Sequence, residues 1–263
     1  MTTPPPATLA DALRFAFGTL TVLPARLTRW DRAAARGGML AAPLVGAVVG
    51  LAAAAAGGVL VALGATPLLA AVGTVAVPAV LTRGLHLDGL ADTADALGSG
   101  KEAEEALRIM KQSDIGPFGV LTLVLVLLAQ VASAAACYGH GWVYGGGAAL
   151  VSAVAGRTAL LAACRRGIPA ARPGGLGAAV AGSVPPWAAL GPTALCAAVA
   201  AAAATPFGGL TPLRFAAAVL CGTAAGELLV RRCTRRFGGV TGDVFGAATE
   251  AAATVAFLAL ALR

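Results

Sequence analysis

The sequence predicts an all-α, polytopic integral membrane bundle of about seven transmembrane helices. Of its 263 residues, 58% are hydrophobic and only 12% are charged, which is about half the charged fraction of an ordinary soluble domain. The mean hydropathy is +0.83. Three long uncharged runs cover residues 37–82, 115–156 and 173–213. A spanning helix needs about 20 apolar residues, so the first two runs are each long enough for a helical hairpin.

The first element is an N-terminal segment, residues 1–36, that precedes the first long uncharged run. Residues 8–20 are compatible with a short helix whose Leu and Phe side chains lie at the membrane interface. A flexible lead-in to the first span is the alternative. The segment lacks both a positively charged start and a small-residue cleavage site, so we do not expect a cleavable signal peptide.

Seven spans follow from the uncharged runs and from the positions of the charges between them. The sixth is the least apolar, because Arg214 and Glu227 lie inside it. Ala and Gly are frequent, and such small residues let helix backbones approach closely. This favours a single compact membrane domain that comprises residues 1–263. The spans are predicted near residues 39–63, 66–83, 117–138, 144–164, 187–204, 212–230 and 244–262.

The basic residues are concentrated in alternate connections between the spans. Sixteen of the 19 Lys and Arg residues lie in the N-terminal segment or follow spans two, four and six. The positive-inside rule places these segments in the cytoplasm. The net charge of +7 therefore marks the cytoplasmic side of a membrane protein, and the sequence does not predict nucleic-acid binding.

The connection after the second span, residues 84–116, is predicted to be a cytoplasmic acidic catalytic loop. Seven of the 12 acidic residues lie between positions 88 and 114. Asp88, Asp92 and Asp95 are spaced i, i+4 and i+7, so on a helix they share one face. Carboxylates suit Mg²⁺, which binds through one or two of them together with substrate phosphates. A solvated acidic helix face is the alternative, although the flanking residues are apolar or small.

A glycine-rich motif, GGVTGD at residues 238–243, precedes the last span. Glycines at a helix start allow close approach of an anion, and Asp243 follows them directly. Thr241 or Asp243 would serve only as an N-cap in the alternative interpretation. Capping leaves Glu250 unexplained, because a carboxylate inside a span is costly and is usually functional.

Two arginines stand out for different reasons. Arg172 adjoins the Pro-Gly-Gly turn of ARPGGLG, residues 171–177, where a guanidinium is suited to clamp phosphate. Arg157 lies within the fourth span, so it is either functional or part of a structural pair in the membrane. Together, the acidic motifs and the arginines predict metal-assisted phosphoryl chemistry on a diphosphate at one cytoplasmic face.

Three segments carry a resemblance to a known family. They read HLDGLADTADALGSG (86–100), RIMKQSDIGPFGVLTLVLVLLAQ (108–130) and GGVTGDVFGAATE (238–250). They resemble, in the same order, the adenosylcobinamide-GDP ribazoletransferases, also called cobalamin synthases. This resemblance implies an enzyme of the bacterial cytoplasmic membrane that performs the last stage of cobalamin biosynthesis. With Mg²⁺ as its cofactor, it would join adenosylcobinamide-GDP to α-ribazole, or to its 5′-phosphate, and release GMP.

The resemblance also implies roles for single residues. Asp88, Asp92 and Asp95 would bind Mg²⁺, and the catalytic set would add Asp243. The partners implied are a corrinoid nucleotide, a ribazole and the lipid bilayer, while other cobalamin-assembly enzymes are candidates and the oligomeric state is open. The residues that would hold the substrate phosphates are Arg157, Arg172, Gly239, Thr241 and Gly242.

Two other classes of protein remain open at this point. A CDP-alcohol phosphotransferase of lipid synthesis has similar diphosphate chemistry, but the arginine of its D-G-x-x-A-R signature is missing after Asp88. An ion-coupled transporter would use the intramembrane charges Arg157, Glu227 and Glu250 together with Asp243. It does not explain why seven acids gather in one segment, and no inverted repeat supports it.

Overall fold

The computed structural model describes residues 6–262, so residues 1–5 of the predicted N-terminal segment and Arg263 lie outside the described residues. Within that range the chain is helical, with two isolated β-bridges and no strand. The α-helices are α1 (Leu9–Leu20), α2 (Arg32–Ala62), α3 (Pro67–Leu81), α4 (Leu85–Gly98), α5 (Ala103–Ile109), α6 (Pro117–Tyr138), α7 (Trp142–Ala163), α8 (Gly175–Val180), α9 (Pro186–Ala203), α10 (Thr211–Phe237) and α11 (Gly242–Ala261).

The predicted helical membrane bundle is confirmed. Helices α2, α3, α6, α7, α9, α10 and α11 coincide with the seven predicted spans. Six of them are long and apolar enough to cross a membrane. The exception is α3, which has only 15 residues and passes this test only together with α4, from which it is bent by 88°. Within residues 6–262 the structure thus has six helices that could each cross a membrane, and a seventh span only if this bent pair counts as one; the acidic motif lies on α4, beyond the bend.

The outer surface of the bundle is apolar. Leu51 of α2, Leu125 of α6 and Leu195 of α9 are each more than half exposed. A soluble monomer rarely exposes apolar patches larger than a few hundred Å², whereas lipid tails cover such a surface without cost. These side chains therefore form the lipid-facing surface that the composition predicts.

The centre of the bundle is formed by α7, which packs against α2, α10 and α11. Small residues make this possible. A Cβ added at Gly46 in α2 would lie only 2.7 Å from the carbonyl oxygen of Ala153 in α7, so the two backbones touch. Close backbone packing of this kind is how helices associate in lipid, where burial of apolar area supplies little driving force.

The short N-terminal helix is also present. Thr8 and Asp11 form a capping box that begins α1, and Phe15 is fully buried in the core beside Gly38 of α2. The helix is thus docked on the bundle through its apolar face.

Contacts between connections gather the basic segments at one end of the bundle. An N–H of Arg32 donates to the carbonyl of Ala181 at 3.1 Å. Arg236, at the end of α10, donates to the carbonyl of Lys101. Arg165, at the end of α7, pairs with Glu227 of α10 at 2.5 Å. The segments that the charge pattern assigns to one side of the membrane are therefore also neighbours in space.

Candidate active site

The acidic motif lies on α4, which leaves α3 through a sharp bend. Arg83 and Gly84 in this bend have φ angles of 51° and 70°, in the left-handed region that a non-glycine residue seldom adopts. Strain at a non-glycine residue is more common near functional sites than elsewhere. The bend sets α4 against α6 and α11, and it keeps Asp88, Asp92 and Asp95 on one helix, as their spacing predicts.

A glycine contact joins α4 to the start of α11. A Cβ added at Gly89 would lie 2.6 Å from the carbonyl oxygen of Asp243 and 2.9 Å from its Cα. One turn further along α11, a Cβ at Gly246 would lie 3.1 Å from the Cα of His86. Only glycine permits this spacing, so the acidic motif and the TGD motif meet backbone to backbone.

The loop that carries Arg172 is paired with the glycine-rich motif. The amide of Ala171 donates to the carbonyl of Val240 at 2.9 Å, and the amide of Val240 donates to the carbonyl of Pro169 at 2.9 Å. Gly239 lies so close that a Cβ there would be 2.6 Å from the amide nitrogen of Ala171. Gly239 therefore holds the two segments together, and it does so from outside the lining of the cavity described next.

The three segments line one cavity of about 290 Å³. Asp88 comes from α4, Arg172 and the glycines of the ARPGGLG loop from a second segment, and Thr241, Gly242 and Asp243 from the start of α11. A wider cavity of about 870 Å³ adjoins it at Leu85 and Asp88, and is lined by the connection after α1 and by the bend before α4. Asp88 thus lies between two openings that differ in size.

Thr241 and Asp243 are fixed at the start of α11. Thr241 is the N-cap, and its hydroxyl oxygen accepts from the amide of Val244 at 3.3 Å. The same oxygen lies 3.1 Å from Oδ2 of Asp243, toward which its proton is directed. The capping interpretation is therefore correct for Thr241. It does not exclude a second role, because both residues also line the cavity.

The carboxylates of the site repel one another. Asp88 is exposed, whereas Asp92 is half-buried. Burial, followed by the charges of Asp88, Asp243 and Asp95, raises the pKa of Asp92 to about 7, and Arg172 opposes this rise. Such a shift marks a negative charge that the protein itself does not compensate, which is the environment a cation would relieve.

Asp95 has a defined structural partner. It is 7% exposed, and its two oxygens accept from the amides of Gly116 at 2.8 Å and Gly119 at 2.9 Å. The side chain therefore caps α6 from a different helix and satisfies amides that would otherwise lack partners. Its position within the acidic motif gives no indication of this bond, because the amides lie more than 20 residues away in the sequence.

The two arginines occupy different environments. Arg172 lines the cavity, donates to the carbonyl of Leu107, and lies 3.9 Å from Asp243. Arg157 is 2% exposed and is not among the residues that line this cavity. It shares a small cavity of about 30 Å³ with Glu250 in the interior of the bundle. The structure thus brings Arg172 to the aspartates of the site, whereas Arg157 lies in the interior, in contact with His86 and near Glu250.

Glu250 and Glu227 also have partners. The Glu250 carboxylate accepts from the side-chain amide of Gln130 at 2.9 Å. Glu227 pairs with Arg165 and with Arg231, each at 2.5 Å. The Glu227–Arg231 pair is the i, i+4 contact expected on one helix, and the Arg165 pair ties α7 to α10.

Sequence reasoning missed His86. Two histidines in the whole chain are too few for a multi-histidine metal site, and His86 drew no attention on that ground. In the structure it lines the cavity with Asp88 and is buried. Two signals could have found it: its position two residues before Asp88, and its place at the start of the segment 86–100 that carries the resemblance.

Among residues 6–262, no group of three or more His, Cys, Asp and Glu side chains could hold a metal ion. Asp88, Asp92 and Asp95 therefore do not form a complete cage. This arrangement is compatible with Mg²⁺ sites in which only one or two carboxylates bind the ion and substrate phosphates supply the other ligands.

Fold and site together define a polytopic membrane protein with an acidic, glycine-lined cavity at one end of its bundle. The chain belongs to the cobalamin-5-phosphate synthase family, whose model matches residues 12–261. The resemblance seen in the motifs is thereby confirmed.

Named relatives agree with this assignment. The adenosylcobinamide-GDP ribazoletransferase of Frankia casuarinae is 42% identical, over 95% of this chain and 94% of its own. The enzyme of the same name from a Nocardioides species is 43% identical, over 97% of this chain and 100% of its own length. That of Corynebacterium efficiens is 37% identical, over 94% of this chain and 90% of its own length. No solved structure matches the chain.

Proposed function

We propose that the protein is a membrane-bound transferase that joins adenosylcobinamide-GDP to α-ribazole, or to its 5′-phosphate, and releases GMP. The observation that carries this proposal is the convergence of α4, the ARPGGLG loop and the start of α11 on one cavity. Relatives 42% and 43% identical carry the name of this activity. Family membership favours this reaction over the lipid phosphotransferase and the transporter.

The reaction exchanges the phosphoanhydride bond of the diphosphate for a phosphate ester bond to the ribazole. An oxygen of the α-ribazole sugar attacks the phosphorus linked to cobinamide, and the bond from that phosphorus to the bridging oxygen breaks. GMP leaves with the bridging oxygen, and the hydroxyl proton passes to a carboxylate of the site. The 5′-hydroxyl, the simplest nucleophile to expect from α-ribazole alone, is esterified in the 5′-phosphate, so a hydroxyl that both forms offer must be another one on the ribose.

We assign the proton acceptor to Asp243. It lines the cavity, and the hydroxyl of Thr241 holds its carboxylate at 3.1 Å. Arg172 and the backbone around Thr241 and Gly242 would hold the phosphates, because a helix start and a guanidinium both favour anions. Gly239 supports this arrangement by keeping the Arg172 loop against the motif.

The carboxylates at and beside the cavity suit Mg²⁺. Asp88 lines the cavity, and Asp92, one turn further along α4, lies among like charges that favour a nearby cation. We propose these two residues as ligands; Asp95, the third predicted ligand, uses both oxygens to cap α6. Bound Mg²⁺ would neutralise the charge of the diphosphate and of the departing phosphate.

We also propose that the site faces the cytoplasm. The basic connections, which the positive-inside rule assigns to that side, meet at the same end of the bundle as the cavity, where Arg172 reaches Leu107. The wider cavity beside Asp88, of about 870 Å³, is where we propose that part of the corrinoid nucleotide enters.

The test is GMP release from adenosylcobinamide-GDP and α-ribazole by the purified protein, with and without Mg²⁺. We expect Asp88→Asn and Asp243→Asn to slow release by about 10²- to 10⁴-fold. Glu104→Gln is the matched control, because the Glu104 side chain is 83% exposed and pairs only with Arg108 on α5. A wild-type protein that releases no GMP with both substrates and Mg²⁺ would refute the proposal.

A further inference from the structure

His86 is a buried polar side chain that the reaction scheme above does not use. It lies in the first turn of α4, is 3% exposed, and lines the cavity with Arg172 and Thr241. Its backbone is held against Gly246 of α11. The ring is therefore fixed at the junction of the two helices that carry the aspartates.

The contact with Arg157 determines which ring nitrogen of His86 carries the proton. Nη2 of Arg157 lies 3.4 Å from Nδ1 of His86, and both groups are buried. A guanidinium can only donate hydrogen bonds, so Nδ1 must accept. The proton of the neutral ring is then on Nε2. Arg157 cannot easily move away, because Glu250 lines the same small cavity and attracts it.

Nε2 of His86 has no hydrogen-bond partner among residues 6–262. A buried N–H group without a partner costs free energy, and native proteins satisfy nearly all such groups with protein, water or ligand. The ligand proposed for this cavity is a diphosphate, whose charged oxygens are strong acceptors for such an N–H group.

We propose that His86 is a substrate-binding residue, whose Nε2–H donates to a diphosphate oxygen and whose tautomer is set by Arg157. This inference rests on the proposed function, since it takes the ligand to be a diphosphate. It also gives Arg157 a positioning role: the guanidinium acts on the substrate through His86 and does not touch it.

Two substitutions test the roles of the two ring nitrogens of His86 separately. His86→Gln can place an amide N–H near the position of Nε2. His86→Asn ends one bond earlier, so its carbonyl oxygen can still accept from Arg157 but no donor reaches the cavity. His140→Asn is the control, because His140 lies in the connection between α6 and α7, beside Tyr144, and outside the cavity.

The binding assay uses inorganic pyrophosphate with Mg²⁺ and detergent-purified protein, followed by calorimetry. We expect His86→Asn to weaken pyrophosphate binding roughly ten- to a hundred-fold, since hydrogen bonds to charged groups are worth that much. We expect His86→Gln to recover most of this loss, and His140→Asn to bind as the wild type does. Equal binding by Asn, Gln and wild type, or equal losses in Asn and Gln with unchanged melting temperatures, would overturn the inference.

A second measurement does not depend on substitution at position 86. The chain has two histidines, so ¹⁵N-histidine labelling of His140→Asn leaves only His86 visible by NMR. We expect a proton on Nε2 alone, and a shift of that signal when pyrophosphate is added. A proton on Nδ1, or an unchanged signal at saturating pyrophosphate, would refute the inference. An error in the proposed function would give a different result: the wild type would bind pyrophosphate but release no GMP.

Discussion

The contact at Gly89 allows a direct test of how the site is assembled. Gly89→Ala would place a Cβ 2.6 Å from the carbonyl oxygen of Asp243, whereas ordinary contacts begin at 3.4 Å. Helices α4 and α11 must therefore separate by about 0.8 Å, the difference between these two distances. This movement carries Asp88 and Asp92 away from Asp243, and a displacement of about 1 Å can cost about 10²-fold in rate.

We therefore expect Gly89→Ala to reduce GMP release on the order of 100-fold. Gly191→Ala is the matched control: Gly191 is also inside a helix, and a Cβ there meets no atom within 4 Å. Both changes gain about 1 kcal/mol of helix propensity, but only Gly89→Ala also bears an overpacking cost of about 1–3 kcal/mol. GMP release and thermal unfolding of both variants give the comparison. Wild-type release by Gly89→Ala would show that the backbone contact does not set the site.

Three further predictions concern charge. Asp95→Ala removes the cap of α6 and should lower stability by about 1–3 kcal/mol, seen as a lower melting temperature; an unchanged value would contradict the capping role. Because the pKa of Asp92 is raised to about 7, protons compete with Mg²⁺ below that pH. Mg²⁺ affinity should then increase from pH 6 to pH 8, and a flat calorimetric profile would count against Asp92 as a ligand. Arg165→Gln should destabilise the protein by about 1 kcal/mol and Arg231→Gln by less. The reason is that Arg165 joins the end of α7 to Glu227 of α10, whereas Arg231 lies on the same helix as Glu227. Equal melting temperatures of the two variants would disprove this.

The helices themselves could be predicted because their signal is local. Long uncharged runs and basic connections report where each span begins and ends, and the seven predicted spans coincide with seven helices. The largest differences lie at the start of α2 and the end of α10, where the helix continues into residues that carry charge. Charged residues do not end a helix once it has left the lipid, so composition alone makes such helices too short.

The site was predictable only in part. Residue type and spacing pointed to Asp88, Asp92, Arg172 and the TGD motif, and these segments do meet. The same reasoning grouped Asp95 with the other aspartates, although its oxygens bind the amides that begin α6. Side chains with the same chemistry and spacing thus have different partners, because partners are set by the packing of distant segments.

The sequence by itself determined that this chain is a membrane bundle with acidic and glycine-rich motifs of one family, because hydropathy, charge and motif are properties of short segments. Only the tertiary structure decided how those motifs act together. Gly89 brings α4 onto α11, and Gly239 brings the Arg172 loop onto the start of α11. Arg157 contacts Nδ1 of His86 in the interior, and Nε2 has no partner within the described part of the chain. These arrangements depend on distances below 4 Å between residues far apart in the chain, which no local pattern encodes.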